Sequence, residues 1–492
     1  MAHPIDPIRT RNAMKSLTRL LVAGWAGLGP RFLPFADVAT PDLPLSRLLR
    51  LSLFQASVGM ALVLLVGTLN RVMIVELHVP ASLVAIMVSL PVVYAPLRAL
   101  IGFRSDTHHC ALGWRRVPFI WMGTMLQFGG LAIMPFALLV LSGGGNAGQW
   151  PAWIGQAGAG VAFLLVGAGL HTTQTAGLAL ATDLTAEASK PKVVGLMYVM
   201  LLVGTMVSAL VFGQLLADFS PARLVQLIQG AALATLVLNV VALWKQETRR
   251  PPRGALAQAQ PGFRQTWRAF IAHDQALRRL VAIGLGTMAF SMQDVLLEPY
   301  GGQVLGMSVG ATTSLTATLA AGGLLGFGWA SGVLGRGADP FRMAAVGALI
   351  GVPAFLAVML AAPIGSVPLF ACGVLLVGLG GGIFSHGTLT ATMNSAPAEQ
   401  AGLALGAWGA VQASAAGVAV ALGGVLRDLM SALADQGFFG AALASPATGY
   451  AFVYGVEVVL LVATTVAMAA LIGSARHSPA PAFHQEFERR SS

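Results

Sequence analysis

Long apolar stretches recur along the whole chain and are separated by short polar segments. Each stretch is about 20 residues long, which lets an α-helix cross the roughly 30 Å hydrocarbon core of a bilayer. A transmembrane barrel would instead show short strands of alternating apolar and polar residues. The pattern predicts an all-α integral membrane protein with twelve transmembrane helices, at 51–69, 81–101, 117–141, 155–182, 194–216, 222–244, 280–298, 308–333, 343–362, 366–392, 401–426 and 448–473.

One long polar segment divides the predicted helices into two groups of six. Residues 245–279 are basic and contain consecutive prolines, which is typical of a linker. Near the start of the chain, residues 16–35 fit either an interfacial helix, with Trp25 and Phe32 at headgroup level, or a loose tail. The predicted organisation is an N-terminal segment, a six-helix bundle, a linker, a second six-helix bundle and a tail, at 1–50, 51–244, 245–279, 280–473 and 474–492.

Composition agrees with a membrane protein. The 492 residues are 56% hydrophobic and only 10% charged, whereas soluble domains carry about 25% charged residues. The two cysteines, Cys110 in a predicted loop and Cys372 in a predicted helix, form no metal-binding or redox motif. A cleavable signal peptide is not expected, because the first long apolar run begins only near residue 51.

Basic residues are distributed unequally between the two sides of the predicted membrane. Of the 29 Lys and Arg residues, 26 fall on the side that holds both termini and the linker, and the other side has only Arg71, Arg223 and Arg427. Cytoplasmic loops carry an excess of basic residues, so both termini are predicted to be cytoplasmic. The net charge of +10 therefore reflects topology and affinity for the anionic lipid membrane. Nucleic-acid binding is not expected, since the basic residues lie in separate membrane-facing loops.

The two halves resemble each other, which favours a major-facilitator-like fold. After the fourth predicted helix of each half, 180–201 and 390–411 share a small-residue helix end, a polar turn, an acidic residue and a following glycine. Paired six-helix halves that repeat one another are typical of this architecture.

The loop between the second and third predicted helices resembles a sequence motif of the same superfamily. The second half has Gly332 and Arg336 at the corresponding place but lacks the acidic residue. The motif would form a cytoplasmic latch, with an acid near a helix N-terminus or an arginine, that holds the halves together in one state. A solvated loop is the alternative. The matching residues are Gly102, Asp106, Gly113, Arg115 and Arg116.

Two acidic residues stand out near the end of the seventh predicted helix. Asp294 and Glu298, in "FSMQDVLLEPYGGQVLGM", are four residues apart, which would place them on one face of a helix. An ionisable group at bilayer depth costs about 2.5–3.5 kcal/mol, so such a residue usually faces the protein interior and has a function. The following Pro-Tyr-Gly-Gly is expected to stop or bend the helix. Alternatively, Glu298 lies solvated at the membrane surface.

Polar residues also lie at the corresponding end of the first predicted helix. Asn70 and Arg71 occur there, and Arg71 is the basic residue of that outer loop. The first and seventh helices of a major facilitator pack beside the pseudo-two-fold axis. We therefore hypothesise that Arg71 pairs with Asp294 or Glu298. The cluster would order the ends of the two central helices or contact the polar edge of a ligand.

Two histidines lie within predicted helices. His171 and His386 each occupy the fourth helix of their half, which lines the central cavity in major facilitators. Small neighbouring residues leave room for a large flat ligand, and a neutral imidazole can ligate a metal. The surroundings of His171 are polar and include Gln174. A hydrogen-bonded structural histidine is the alternative for each.

Three stretches resemble the PucC/LhaA family, the bacteriochlorophyll delivery branch of the major facilitator superfamily. They are 28–77, 171–185 and 292–317. The resemblance implies the inner, photosynthetic membrane of a bacterium. It also implies a role in assembling light-harvesting antenna complexes by handing bacteriochlorophyll to antenna polypeptides. Pigment-synthesis enzymes are further expected partners.

The resemblance gives the polar residues candidate roles in pigment binding. His171 or His386 would ligate the chlorin magnesium, although magnesium itself prefers oxygen ligands. Gln174 would be an outer partner or an oxygen ligand. No catalytic motif occurs, so enzymatic activity is not expected.

Two other function classes remain open at this point. The first is a proton-coupled transporter of a small solute, with Asp294 or Glu298 as the proton site. The second is a structural scaffold that contacts antenna subunits through small-residue surfaces facing the lipid.

The charge distribution predicts where topology reporters will be active. Fusions of a cytoplasmically active reporter at residue 260 and at the C-terminus should both give signal, because basic loops are retained in the cytoplasm. A periplasmic reporter at either point should be inactive. Periplasmic activity at either position would contradict the predicted number of spans.

Overall fold

The structure, a computed structural model, contains helices joined by turns, with no strand in the residues that it describes. These are 43–91, 98, 101, 104–105, 113–143, 148–185, 189–247, 275–395, 401–440 and 443–472. The predicted interfacial helix at 16–35, the C-terminal tail and most of the linker lie outside them. Eleven helices in the described part are long and apolar enough to cross a membrane.

The helices follow the predicted order closely. The third predicted span, 117–141, coincides with its helix, and the ends of most others differ by a few residues. Part of the second predicted span, 81–101, lies outside the described residues. We number the helices α1 Leu45–Glu76, α2 Ala81–Ser89, α3 Val117–Leu141, α4 Ala152–Asp183, α5 Lys190–Leu215, α6 Pro221–Leu243, α7 Ala276–Gln303, α8 Val309–Leu334, α9 Pro340–Ile364, α10 Val367–Ser395, α11 Ala401–Asp435 and α12 Ala447–Ala469.

Helix α7 does not end where the sequence led us to expect. It changes from α-helix to a 3₁₀ turn at Met292–Val295 and resumes as α-helix over Leu297–Gln303. Pro299 lies in the first turn of the resumed helix, where a proline is tolerated because its missing N–H has no partner in that helix. The expected stop or bend therefore lies close to Pro-Tyr-Gly-Gly, with a break about one turn before Pro299 and the end of the helix at Gln303.

The two halves contact each other through matching helices. Helix α2 packs on α11 and α5 packs on α8, while α1 contacts both α7 and α8. We call the two ends of the bundle the Arg71 end, where α1 finishes, and the Arg116 end, where α3 begins. The backbone N–H of Ser82 in α2 donates to Asp428 Oδ2 in α11 at 2.7 Å, which ties the halves together at the Arg71 end.

The clusters of buried hydrophobic side chains also differ between the Arg71 end and the Arg116 end. At the Arg71 end one cluster of buried side chains includes residues of both halves, such as Leu64 of α1, Val295 of α7 and Tyr454 of α12. At the Arg116 end the buried members of each cluster belong to one half, around Phe54 in the first and Phe341 in the second, although Tyr198 of the first half packs against the second cluster. The halves are thus joined at one end and have separate cores at the other.

Close backbone approach between the halves requires glycine at the Arg71 end. A Cβ at Gly310 of α8 would lie 2.5 Å from the carbonyl oxygen of Gly213 in α5 and 2.9 Å from Ala217 Cα. Both neighbours are backbone atoms, so neither can rotate away. The interface between α5 and α8 therefore depends on the absence of a side chain at Gly310.

Substituting Gly310 should loosen the Arg71 end. We expect Gly310→Ala to destabilise the purified protein by about 1–3 kcal/mol, the usual cost of overpacking, seen as a lower unfolding temperature. The matched control is Gly328→Ala in the same helix, where a Cβ would meet no atom within 4 Å. Alanine favours helix by about 0.5–1 kcal/mol over glycine, so the control should unfold at the same or a higher temperature. Equal destabilisation of both variants would contradict the proposed contact.

Candidate functional site

The break in α7 is held by polar side chains from two other helices. Pro299 has no N–H, so the carbonyl of Val295 lacks its helical donor. Asn70 of α1 donates from Nδ2 to this carbonyl at 2.8 Å. The backbone N–H of Gln293 donates to Oε1 of Glu457 in α12 at 2.6 Å. The break therefore connects α1, α7 and α12 through hydrogen bonds to backbone groups that have no partner within the helix.

The two acidic residues predicted to share a helical face have different partners. Asp294 lies in the 3₁₀ turn, is partly exposed, and accepts a hydrogen bond from the side chain of Gln293. Glu298 is 4% exposed and accepts from the hydroxyl of Thr316 in α8. The alternative of a solvated Glu298 at the membrane surface is thus wrong. Because the helix changes type between Asp294 and Glu298, the two residues no longer share one helical face.

Arg71 is not paired with either of these acids. Its Nη1 forms an ion pair with Glu76, five residues later in α1, and its Nη2 donates to the carbonyl of Met307 at 3.3 Å. The guanidinium also lies against Gly302 of α7. Helix α1 has π-helical turns on both sides of Arg71, which bring Glu76 within reach. The hypothesis that Arg71 pairs with Asp294 or Glu298 is corrected accordingly.

A cavity of about 300 Å³ lies between the two halves, on the Arg116 side of the α7 break. Its walls come from α4, α5, α7, α10 and α11, together with Arg98. Four aromatic side chains line it, and its polar lining residues in the described part of the chain include amides and hydroxyls but no acidic residue. The described lining residues are Arg98, His171, Gln174, Tyr198, Thr287, Phe290, Ser291, Phe384, Ser385, Trp408, Gly409, Gln412, Ala413 and Ala416.

His171 lines this cavity, as the sequence predicted, but its polar neighbours do not orient its ring. Thr172 donates to the carbonyl of Ala168, and Thr175 donates to the carbonyl of His171 itself. Gln174 accepts from Arg98. Nδ1 of His171 is buried and has no hydrogen-bond partner among the described residues. The imidazole therefore has hydrogen-bonding capacity that the protein leaves unused.

His386 is not part of the cavity lining. Its ring lies against Phe327 of α8, with 4.0 Å between the ring centroids. Its neighbours Phe384 and Ser385 do line the cavity, so the turn of α10 directs His386 away from it. The structure therefore does not bring the two histidines together in one site.

The basic residues of the loop motif act within the first half. Arg115 Nη2 and Arg116 Nε both donate to Asp183 Oδ2 at the end of α4, at 2.7 and 3.0 Å. Gly113 adopts a left-handed conformation, with φ of 78°, that suits glycine. The motif residues Gly102 and Asp106 lie outside the described residues. These contacts of Arg115 and Arg116 lie within the first half, and the predicted latch, which also involves Asp106, stays a prediction.

A further carboxylate caps the same region. Glu247, which follows α6, accepts hydrogen bonds from the backbone N–H groups of Arg115, Arg116 and Val117 at 2.8–3.2 Å. A carboxylate at a helix N-terminus is favoured by the helix dipole. It fixes the start of α3 to the end of α6.

Sequence reasoning missed two residues of these sites, Arg98 and Glu457. Arg98 is one of the 26 basic residues that the charge distribution puts on the cytoplasmic side, because it falls near the end of the second predicted span. Glu457 is fully buried within α12. Like Asp294, it is an acidic residue in an otherwise apolar run, and that pattern could have identified it from the sequence. Oε2 of Glu457 has no hydrogen-bond partner among the described residues.

The arrangement of the helices defines a class of protein. Solved structures of this kind include a bacterial homologue of the human lysosomal transporter Spinster, described as inward-facing and unoccupied. It matches with a TM-score of 0.65 at 16% sequence identity, over 88% of this chain and 98% of that one. The chain is an all-α, multi-pass membrane protein with the fold of the major facilitator transporters.

Sequence comparison identifies the family. The family model described as PUCC protein matches residues 68–476, so the chain belongs to this family. It is 62% identical to Protein PucC of Rhodovulum sulfidophilum over 84% of this chain and 92% of that protein. It is 57% identical to Protein PucC of Cereibacter sphaeroides, over 91% and 96% of the two chains. A Rhodobacter capsulatus protein named Bacteriochlorophyll synthase 44.5 kDa chain is 29% identical, over 85% and 93%.

The hydrogen bond from Gln293 to Glu457 predicts how substitutions of Glu457 affect the stability of the protein. Glu457→Gln keeps an oxygen for the Gln293 N–H and removes a buried acid, so its unfolding temperature should equal or exceed that of the wild type. Glu457→Ala leaves a buried donor unsatisfied, which costs about 1–3 kcal/mol, and creates a void. Thermal unfolding of the purified variants tests this, and equal losses for Gln and Ala would show that the hydrogen bond does not matter.

Proposed function

We propose that this protein is a light-harvesting antenna assembly factor that binds bacteriochlorophyll and delivers it to antenna polypeptides in the photosynthetic inner membrane. Membership of the PUCC family supports this role, as does the name of the relative called a bacteriochlorophyll synthase chain. The observation that carries the proposal is the imidazole of His171, which lines an aromatic-walled cavity between the halves and has no hydrogen-bond partner for its buried Nδ1 among the described residues.

The cavity residues suit part of a chlorin. The rings of Tyr198, Phe290, Phe384 and Trp408 provide flat apolar walls, and aromatic pairs favour offset or edge contacts with a planar ligand. His171 would hold the magnesium from the side of α4. At about 300 Å³ the cavity is at the low end of the range for drug-sized ligands. A cavity of this size would admit only an edge of the macrocycle, and holding a complete macrocycle would require the halves to separate further.

The direction of loading follows from the packing of the halves. They share a core at the Arg71 end and have separate cores at the Arg116 end. The excess of basic residues supports a cytoplasmic location for the Arg116 end. Pigment then enters from that side, where pigment-synthesis enzymes would supply it, and both termini face the same compartment.

A proton-coupled transporter of a small solute is the second candidate. The observation that favours it is Glu457, a fully buried acid with one oxygen unpartnered among the described residues. Asp294 and Glu298 lie on the adjacent helix, and acids within membrane helices mark proton pathways. Pigment absorbance distinguishes the candidates, because a solute transporter purified in mild detergent would carry no bacteriochlorophyll.

Replacing His171 tests pigment ligation. His171→Phe keeps a ring of similar size and removes the ligating nitrogen, so bacteriochlorophyll per purified protein should fall at least about tenfold, the scale seen when support of a metal ligand is lost. Protein yield should stay normal. The measurement is pigment absorbance against protein concentration after purification from a photosynthetic host.

His386→Phe is the matched control. His386 lies outside the cavity lining against Phe327, so this variant should retain wild-type pigment content. Wild-type pigment content in both variants would show that neither histidine is the ligand. Loss of protein together with pigment in the His171 variant would instead indicate a structural histidine.

A further inference from the structure

We propose that a groove on the lipid-facing surface of the first half binds one phospholipid, with an acyl chain between α5 and α6 and a phosphoethanolamine headgroup at Arg223 and Asp218. The groove has a volume of about 710 Å³. Its walls are mainly apolar side chains of α5 and α6, and the buried Met60 of α1 also lines it. None of these residues lines the central cavity, so the inference goes beyond the proposed function and does not depend on it.

The groove exists because α5 and α6 are held by different neighbours. Gly213 of α5 lies so close to α8 that a Cβ on Gly310 would be 2.5 Å from its carbonyl oxygen. Asn239 of α6 instead donates to Thr124 of α3 at 2.9 Å and accepts from Ser57 of α1 at 2.8 Å. Helix α5 is thus drawn toward the second half and α6 toward α1 and α3, which leaves a gap between them at the Arg71 end.

The length of the groove matches one leaflet of a bilayer. On α6 its lining runs from Arg223 to Ala234, which is about 16 Å at 1.5 Å per residue. Half of a hydrocarbon core of roughly 30 Å is about 15 Å. Val207 and Val211 on the α5 wall are each about half exposed, at 49% and 48%. A groove of this length fits an acyl chain, whereas the transmembrane helix of a partner would run through both leaflets.

The charged end of the groove favours a zwitterionic headgroup. Nη1 of Arg223, in the first turn of α6, donates to Asp218 Oδ2 at 3.1 Å and to the Asp218 carbonyl at 2.8 Å. Both side chains are exposed, by 48% and 90%. A lipid phosphate would bind Arg223 and the α6 N-terminus, where charge-assisted hydrogen bonds and the helix dipole favour an anion. The ammonium of phosphoethanolamine would then pair with Asp218, which would repel a purely anionic headgroup.

A lipid in this groove would support the junction between the halves. Its acyl chain would fill the space behind α5, the helix whose close contact with α8 joins the halves at the Arg71 end. Gly230 of α6 lines the groove, and a Cβ there would meet no atom within 4 Å. A larger side chain at this position should therefore exclude the lipid without disturbing the packing of the helices.

The test measures binding of phosphatidylethanolamine to the wild type and to Gly230→Leu. The full-length protein, delipidated in detergent, would be titrated with the lipid, and bound lipid would be counted by native mass spectrometry. The wild type should bind one lipid at least about tenfold more tightly than Gly230→Leu, because lost contact with two buried methylene groups already corresponds to about tenfold. The lipid should also raise the unfolding temperature of the wild type more than that of the variant.

Gly328→Leu in α8 is the matched control. A Cβ at this exposed glycine also meets no atom within 4 Å, and the residue lies outside the groove, so the affinity should equal that of the wild type. If Gly230→Leu does not fold, Val211→Trp fills the groove from the α5 side and should weaken binding in the same way.

The headgroup is tested with two lipids that carry the same acyl chains. The wild type should prefer phosphatidylethanolamine to phosphatidylglycerol by about two- to fivefold, the range of an exposed ion pair. Asp218→Asn should remove this preference, because it removes the partner of the ammonium. Equal or tighter binding of phosphatidylglycerol to the wild type would overturn the headgroup assignment.

Two outcomes would overturn the lipid site itself. The first is equal affinity of the wild type and both groove-filling variants for phosphatidylethanolamine. The second is an antenna polypeptide that copurifies with the wild type and is lost from Gly230→Leu while lipid binding stays unchanged, which would identify a partner helix as the occupant. Pigment content is a separate measurement, so failure of the lipid site leaves the proposed function intact.

Discussion

The break in α7 is the constraint on which the Arg71 end depends. In the hydrocarbon core no water is available, so an unsatisfied backbone group costs several kcal/mol. Pro299 frees the carbonyl of Val295, and Asn70 binds it; the freed N–H of Gln293 is bound by Glu457. Because these partners come from α1 and α12, helices of both halves are positioned by one irregular turn. This explains why a chain so poor in charge places polar residues at that depth.

Most of the fold could be predicted because apolar length alone locates a membrane helix. The span predicted at 117–141 coincides with its helix, and the repeated halves correspond to the observed fold. The break in α7 could not be placed, since a proline in the first turn of a helix and a proline that ends one look alike in sequence. The partner of Arg71 depended on the π-helical turns around it, which no residue pattern in the chain signals.

Only some features of the cavity could be predicted from the sequence. Its position and the role of His171 in its wall follow from helix order, because the fourth helix of each half faces the centre. The direction of His386 does not, since a shift of one residue along α10 turns a side chain by about 100°. Arg98 was missed because the charge count assigned it to a loop. A basic residue inside a predicted span merits the same scrutiny as an acidic one.

The two polar regions, the α7 break and the central cavity, differ in which of their polar groups lack a protein partner. At the α7 break the unpartnered buried atoms include acceptors of Gln293, Glu298 and Glu457, which take a proton or the hydrogen of a water molecule. In the cavity it is Nδ1 of His171 that has no hydrogen-bond partner among the described residues. Helix α7 belongs to both, because Ser291 lines the cavity and Gln293, two residues on, is bound by Glu457. The irregular turn thus links the cavity wall to the hydrogen bonds that α7 makes with α1 and α12.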